Sequence, residues 1–160
     1  MERVNKILAD SFYQSYLEKN NQAEAERRFC RHNIGHFLDV ARLALILNEQ
    51  DYYGQEQEIV YAAALLHDIG RWMQYKDGTP HEKAGCMLAP EILKSCDFTK
   101  EEADRILKAI ADHRNAEIKE EKSLSGLLYR ADKLSRACFV CEMEQECDWK
   151  NKKKNLKLIL

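Results

Sequence analysis

The chain has 160 residues, of which 45% are hydrophobic and 32% charged, so it is long enough for one domain with a hydrophobic core. Its formal net charge of −2 gives no electrostatic reason to expect nucleic-acid binding. Glycine and proline are scarce, with 6 and 2 residues, and no apolar run approaches the roughly 20 residues of a membrane span, which disfavours both an all-β fold and a membrane protein.

Apolar residues recur at helical spacing along most of the chain, which predicts an all-α, single-domain bundle of about six or seven helices. The first stripe predicts an N-terminal helix within residues 1–18. A wider stripe over residues 34–47 predicts a central helix that is buried on most sides. The next helix is expected to end at the adjacent His67 and Asp68, because Gly70 follows them as a helix stop.

The second half of the chain contains three further helix signals. A turn signal at residues 77–80 precedes a helix that starts at His81, and Pro90 is expected to kink or divide this helix. Residues 99–102 form a capping-box pattern that opens another helix. A last long helix is expected over residues 123–134. The lysine-rich end of the chain is predicted to be a solvated helix or a loose end.

The histidines of this chain lie at or within a turn of predicted helix ends. They are His32, His36, His67, His81 and His113. Side chains of adjacent helical residues point about 100° apart, so His67 and Asp68 can reach one ion only at a helix end. Several histidines that converge on a metal would avoid the cost of burial without a partner. The alternative is that each histidine is a separate residue satisfied by one hydrogen bond.

Four of the histidines, together with Asp68 and Asp132, belong to five short segments in a fixed order. These are His36-Phe37-Leu38-Asp39-Val40-Ala41, Ala64-Leu65-Leu66-His67-Asp68-Ile69-Gly70, His81, His113 and Ala131-Asp132-Lys133-Leu134. An isolated His-Asp pair is common by chance, whereas the complete ordered set is specific. The set spans about residues 30–137 and resembles the HD-domain superfamily of metal-dependent phosphohydrolases, in its binuclear type. It is similar to the bacterial diadenosine-tetraphosphate hydrolase branch.

The resemblance implies a site for two divalent metal ions. Its ligands would be His36, His67, Asp68, His81, His113 and Asp132. Asp68 would bridge the two ions, while His81 and His113 match the histidines that distinguish binuclear members. The resemblance points to iron or manganese. Imidazole and carboxylate ligands also suit zinc, nickel or magnesium, and these stay as alternatives.

The resemblance also implies a domain division and an activity. Residues 1–137 would form the HD domain, with the helix at 1–18 packed on it, and residues 138–160 would be a cysteine- and lysine-rich extension of the same domain. A metal-bridging hydroxide would cleave a phosphate ester or anhydride of a small nucleotide or similar metabolite. A di-iron oxygenase of the HD fold and a non-catalytic nucleotide-binding module are the alternatives. No oligomeric state is predicted.

Cationic side chains near the motifs are candidates for contacts with a phosphorylated substrate. Arg71 and Lys133 are expected to act with Asp68 in catalysis, because cations offset charge on phosphoryl oxygens and a guanidinium can bind phosphate in a bidentate manner. Three further residues are expected to bind the substrate: His32, Lys83 and Arg114. For each cation the alternative is a solvent-exposed side chain, and for His32 it is a satisfied residue at a helix start.

Four of the six cysteines suggest a second metal site. Their Cys-x-x-Cys spacing at 138–141 fits structural zinc or an iron–sulfur centre, and the candidate ligands are Cys30, Cys138, Cys141 and Cys147. The alternative is a set of reduced thiols that pack as small apolar side chains. The first residues contain no apolar segment of a secretory signal, so we expect a cytoplasmic protein, in which disulfides are rare.

Overall fold

The computed structural model describes residues 1–158, which form an all-α bundle. Its helices are α1 Glu2–Ala9, α2 Ser11–Ala23, α3 Ile34–Gln50, α4 Gln57–Leu66, α5 Arg71–Asp77, α6 His81–Ser95, α7 Lys100–Asp112 and α8 Leu124–Leu134. Short 3₁₀ helices follow at Ala116–Glu120, Cys138–Val140 and Asn151–Lys153. Residues 1–158 contain no β-strand, so the all-α prediction is confirmed. Of the helices described here, none has the length and apolar character needed to cross a membrane.

The central helix of the bundle is α4, which packs against α3, α7 and α8. Every residue of α4 from Ile59 to Leu66 except Tyr61 is buried, so the helix is surrounded by neighbours on nearly all sides. Phe37 of α3 and Leu127 of α8 are fully buried against the same core. The C-terminal end of α4, which His67 follows directly, therefore lies inside the protein.

The N-terminal segment differs from the prediction of one helix within residues 1–18, because the structure has two helices there. Asp10 adopts an extended backbone conformation between α1 and α2. Its carboxylate accepts hydrogen bonds from the backbone N–H groups of Phe12 at 2.9 Å and Tyr13 at 3.0 Å. Such a side-chain cap favours the start of a new helix, so the apolar stripe continues across a break that its spacing does not reveal.

Pro90 does not divide α6, which continues through it from His81 to Ser95. A proline removes one backbone hydrogen bond within a helix. The helix is retained because Ala89, Ile92 and Leu93 are fully buried against the core, and tertiary packing supplies most helical stability in proteins.

The predicted helix starts at Thr99 and Ser123 are confirmed. The Thr99 hydroxyl accepts a hydrogen bond from the backbone N–H of Glu102, whose carboxylate accepts from the backbone N–H of Thr99 in return. The Ser123 hydroxyl caps α8 by accepting a hydrogen bond from the backbone N–H of Gly126 at 3.2 Å.

We expect Gly126→Ala to destabilise the protein. Helix propensity alone predicts a gain of roughly 0.8–1 kcal/mol. However, a Cβ atom at this position would overlap the backbone oxygen of Glu121 and lie 2.8 Å from that of Ile118. Overpacking of this kind costs about 1–3 kcal/mol, and each kcal/mol lowers Tm by roughly 2–4 °C at this chain length. Thermal denaturation followed by circular dichroism measures the effect, and an equal or higher Tm would contradict the expectation.

Candidate metal centre

All six predicted metal ligands meet at one end of the bundle, where several helices begin or end. They are His36 in the first turn of α3, His67 and Asp68 after α4, His81 at the start of α6, His113 after α7 and Asp132 near the end of α8. None of the six is more than 9% exposed. Their assembly depends on helix packing, because the residues come from five separate helices.

Two overlapping groups of these side chains have the spacing that a metal ion requires. In the first, one ligand atom from each of His36, His67, Asp68 and Asp132 lies within 4.8 Å of every other. In the second, the same holds for Asp68, His81 and His113. Asp68 belongs to both groups, so its two carboxylate oxygens can serve two neighbouring ions.

Glycine at position 70 allows the two groups to approach each other. A Cβ atom on Gly70 would lie 2.5 Å from the Cβ of Ala84 and 2.8 Å from the backbone nitrogen of Gly85, both in α6. The turn that carries Asp68 can therefore pack directly on the first turns of α6, where His81 lies. The glycine that was predicted as a helix stop thus also permits a close approach of two backbones.

The orientation of two histidine rings is set by backbone carbonyl groups. The Nδ1 of His67 lies 2.7 Å from the backbone oxygen of Ala64, and the Nδ1 of His113 lies 2.6 Å from that of Ile110. A carbonyl oxygen can only accept a hydrogen bond, so both rings carry a proton on Nδ1. Their Nε2 atoms point into the site, which is the usual arrangement of metal-binding histidines.

The ring of His81 is oriented by Gln74, a residue that the sequence analysis missed. The Nδ1 of His81 lies 2.6 Å from Oε1 of Gln74 and 2.6 Å from Nη1 of Arg71. A neutral ring that keeps Nε2 free for a metal donates its Nδ1 proton to Gln74, and then cannot accept one from Arg71. Burial lowers the pKa of His81 to about 3 despite the nearby Asp68, so the ring is neutral at pH 7.

The carboxylates of the site are ionised, as metal binding requires. Burial would raise the pKa of Asp68, but His67 and His32 outweigh it and hold that pKa well below its usual range. Burial lowers the pKa of His36 to about 4 against the opposing effect of Asp132. At neutral pH, His36 and the carboxylates are therefore in the protonation states that divalent cations bind.

Unsatisfied polar atoms in the site show that its residues fit a metal ion. Within residues 1–158, the Nε2 of His67 and the Oδ1 of Asp68 are fully buried and have no hydrogen-bond partner. A buried polar atom without a partner costs about 1–3 kcal/mol. A cation bound between these atoms would remove that cost. Asp68 also outweighs burial and raises the pKa of His67, so protons compete with a cation for Nε2.

A cavity of about 350 Å³ opens beside the ligands. Of the predicted catalytic and substrate-binding residues, Asp68, Arg71, Lys133, His32 and Arg114 line this cavity. Lys83 is exposed on α6 and does not line it. Its position explains the difference, since it follows His81 by two residues and therefore lies about 200° around the helix from that ligand.

Two arginines in the cavity wall were missed by the sequence analysis, Arg27 and Arg136. Arg136 is 9% exposed, and its Nη2 lies 3.3 Å from both the Nε2 of His36 and the Oδ1 of Asp132. The cation of Lys133 lies 2.5 Å from the other oxygen of Asp132. No spacing marks Arg136 in the sequence, although it lies one turn after Asp132.

His32 lies in the cavity wall and belongs to neither ligand group. Its Nδ1 lies 2.6 Å from Oε1 of Glu24, which is 2% exposed and also accepts a hydrogen bond from the hydroxyl of Tyr75 at 2.7 Å. The hydrogen bonds outweigh burial and lower the pKa of Glu24 to about 2. The Nε2 of His32 lies 3.7 Å from Oδ2 of Asp68. Glu24 has no motif around it and was missed.

The structure does not assemble the predicted cysteine site. In the part of the chain that the structure describes, no three sulfur atoms of Cys30, Cys138, Cys141 and Cys147 lie within 4.8 Å of one another. The chain leaves α8 at Leu134 and forms a 3₁₀ helix at Cys138–Val140, so it does not continue the helical path that would align Cys138 with Cys30. Cys30, Cys138 and Cys147 instead line the cavity as free thiols.

Sequence comparisons show that this chain is similar to known proteins. A family model described as HD domain matches residues 33–137. An uncharacterized protein of Clostridium beijerinckii is 44% identical over 158 residues, which cover 99% of both chains. Ribonuclease Y 1 of Pediococcus pentosaceus and ribonuclease Y of Enterococcus faecalis are each 29% identical over 104 residues, which cover 65% of this chain and 18% of theirs.

A structural comparison supports the same fold. The crystal structure of a predicted HD superfamily hydrolase from an uncultured Thermotogales bacterium matches with a TM-score of 0.62 and 24% sequence identity. The match covers 89% of this chain and 81% of that one. This likeness confirms the fold that the ordered histidine and aspartate segments predicted.

Proposed function

The chain belongs to the HD domain family, and we propose that it is a metal-dependent phosphohydrolase that cleaves a phosphate ester or anhydride of a small nucleotide or similar metabolite. The observation that carries the proposal is the pair of ligand groups that share Asp68. A site that bound a small molecule only through hydrogen bonds would not need six buried metal-ligating residues around unsatisfied polar atoms.

Each of the two ligand groups would bind one of the proposed ions. The first ion would bind His36, His67, Asp68 and Asp132, and the second would bind Asp68, His81 and His113. Two such ions supply Lewis acidity, which lowers the pKa of water and offsets the charge of a phosphoryl group. Iron or manganese is the proposed metal, with zinc, nickel and magnesium as alternatives that the same ligands suit.

The chain's own cations would orient the phosphoryl group. Lys133 and Arg136 lie beside Asp132, and Arg71 lies beside His81. A phosphoryl group bound near these cations would have its oxygens contacted by them, and charge that develops on those oxygens would be offset. In this proposal Asp68, Arg71 and Lys133 are the residues that act directly in the reaction.

The cavity favours a small substrate over RNA. The likeness to ribonuclease Y covers 18% of those proteins, and their name would suggest a phosphodiester of RNA. A volume of about 350 Å³ suits a compound of nucleotide size. The net charge of −2 gives no electrostatic reason to expect nucleic-acid binding.

Metal reconstitution tests the proposed function. The protein is stripped with a chelator, reloaded separately with Mn²⁺, Fe²⁺, Zn²⁺, Ni²⁺ or Mg²⁺, and its metal content is measured. Phosphate release is then assayed with nucleotides, sugar phosphates and a short oligoribonucleotide. We expect two ions per chain, release from a small compound with iron or manganese, and no release from the stripped protein.

Two outcomes would overturn this proposal. Oxygen consumption without phosphate release by the iron-loaded protein would instead support the di-iron oxygenase. Nucleotide binding without turnover under any metal would support the non-catalytic module.

A further inference from the structure

The extension after residue 137 forms part of the cavity wall, although it lies outside the segment that matches the HD domain. Cys138, Cys147, Asp148 and Trp149 line the cavity, while the match covers residues 33–137. This part of the cavity is therefore a feature of this chain's own C-terminal sequence and is separate from the metal ligands.

Hydrogen bonds hold the extension against the domain. The side-chain nitrogen of Asn155 lies 2.8 Å from the backbone oxygen of Lys133 and 2.9 Å from that of Arg136. Within the extension, the ammonium of Lys154 donates to the backbone oxygen of Glu144 at 2.6 Å and to its carboxylate at 2.8 Å. The extension is thus attached to the same turn that carries two of the cavity's cations.

Two aromatic residues from different segments line this cavity. Phe29 comes from the loop between α2 and α3, and Trp149 comes from the extension. Both are partly exposed, and neither stacks on another aromatic ring within residues 1–158, although the guanidinium carbon of Arg27 lies 5.8 Å from the centre of the Phe29 ring. The other tryptophan of the chain is different, because Trp72 stacks on Tyr16 at 6.5 Å and has the ammonium of Lys19 4.7 Å from its ring centre.

When the metal ligands Asp68 and Asp132 are set aside, the residues that line the cavity carry a strongly positive charge. Its cationic residues are Arg27, Arg71, Arg114, Lys133 and Arg136. Apart from the ligands Asp68 and Asp132, its acidic lining consists of Asp148. A ligand that complements this cavity would have an anionic group at the metal centre and a planar, apolar group at the rings of Phe29 and Trp149. A volume of about 350 Å³ is near the lower end of small-molecule sites, which suits one nucleotide better than a dinucleotide.

We propose that Trp149 and Phe29 form a subsite that binds the base of a mononucleotide by stacking, while the phosphate lies at the metal centre. This inference rests on the proposed function for the identity of the phosphate site. Stacking of a base on an aromatic side chain needs no particular hydrogen-bond pattern. The subsite therefore selects for the presence of a base more than for its identity.

Calorimetric binding to the manganese-loaded protein tests the subsite. The two probes are phosphonate analogues of adenosine 5′-monophosphate and ribose 5-phosphate, in which a methylene group replaces the ester oxygen so that neither is cleaved. They differ at C1′, which carries adenine in the first and a hydroxyl group in the second. We expect the adenosine analogue to bind wild-type protein about 5- to 150-fold more tightly, the range that one stacked base contributes.

Trp149→Ala should remove most of this difference and leave the affinity for the ribose analogue unchanged. Trp149→Phe should retain adenosine binding to within about threefold, because an aromatic face remains. Phe139→Ala is the matched control, since Phe139 lies in the same extension, is 45% exposed and does not line this cavity. Unchanged circular dichroism and Tm exclude a folding defect.

The proposal is overturned if wild-type protein binds both probes equally, or if Trp149→Ala weakens both equally. These results are distinct from a failure of the proposed function. If a base-dependent affinity is found but no phosphate is released from any compound, the proposed subsite is supported and the proposed hydrolase activity is contradicted. If phosphate is released from sugar phosphates and nucleotides with equal kcat/KM, the hydrolase stands and the subsite does not.

Discussion

Asp68→Asn is expected to abolish hydrolysis and to remove most of the metal that the protein binds. The Oδ1 of Asp68 lies 3.2 Å from Nε2 of His81 and 3.6 Å from Nε2 of His113, while Oδ2 lies 3.2 Å from Nε2 of His67. No other residue belongs to both ligand groups. An amide has no net charge and one acceptor oxygen, so it serves two cations poorly.

Removal of a residue that supports a metal ligand lowers activity by up to roughly 100-fold. We expect a larger loss of kcat/KM for Asp68→Asn. The fold should persist, because the backbone oxygen of Asp68 accepts a hydrogen bond from the Asn20 amide at 2.9 Å and the substitution keeps it. Metal content, kcat/KM and Tm measure the effect. Asp39→Asn is the matched control, because Asp39 lies on α3 with its side chain 60% exposed. A variant at position 68 that holds two ions and retains normal activity would refute the assignment.

His81→Ala and His113→Ala are each expected to leave one ion bound and to lower activity by roughly 100-fold or more, as loss of a charge-stabilising group does. Both residues belong to the second ligand group alone. The first group keeps all of its members in either variant, so it should still bind its ion. The same substitution at His36 should instead remove the ion of the first group.

Metal stoichiometry measured together with phosphate release distinguishes these cases. His32→Ala is the control for metal content, because His32 lies 3.7 Å from Asp68 but belongs to neither group. It should retain two ions. Wild-type activity in both His81→Ala and His113→Ala would rule out a mechanism that uses two ions.

Local sequence patterns predicted the helices, because helix formation depends on neighbouring residues. The apolar stripes, the cap at Thr99 and the cap at Ser123 each act within a few residues, and the structure has helices where they indicate. The set of candidate ligands came from the resemblance to the HD-domain superfamily, which the ordered histidine and aspartate segments carry. Local patterns did not reveal the break at Asp10 or the continuity through Pro90, where capping and packing decide the outcome.

The apolar periodicity thus predicted an all-α fold, the resemblance supplied six candidate ligands, and the structure brings all six together. The residues around these ligands follow from helix packing and long-range contacts. Glu24, Gln74 and Arg136 reach the site through contacts that have no periodicity in the sequence. The path of the chain after α8 depends on hydrogen bonds from Asn155, more than 20 residues along the chain from Lys133. Those long-range bonds hold the segment that carries Trp149 against the domain, because the position of a segment without its own helix is set by what it packs against.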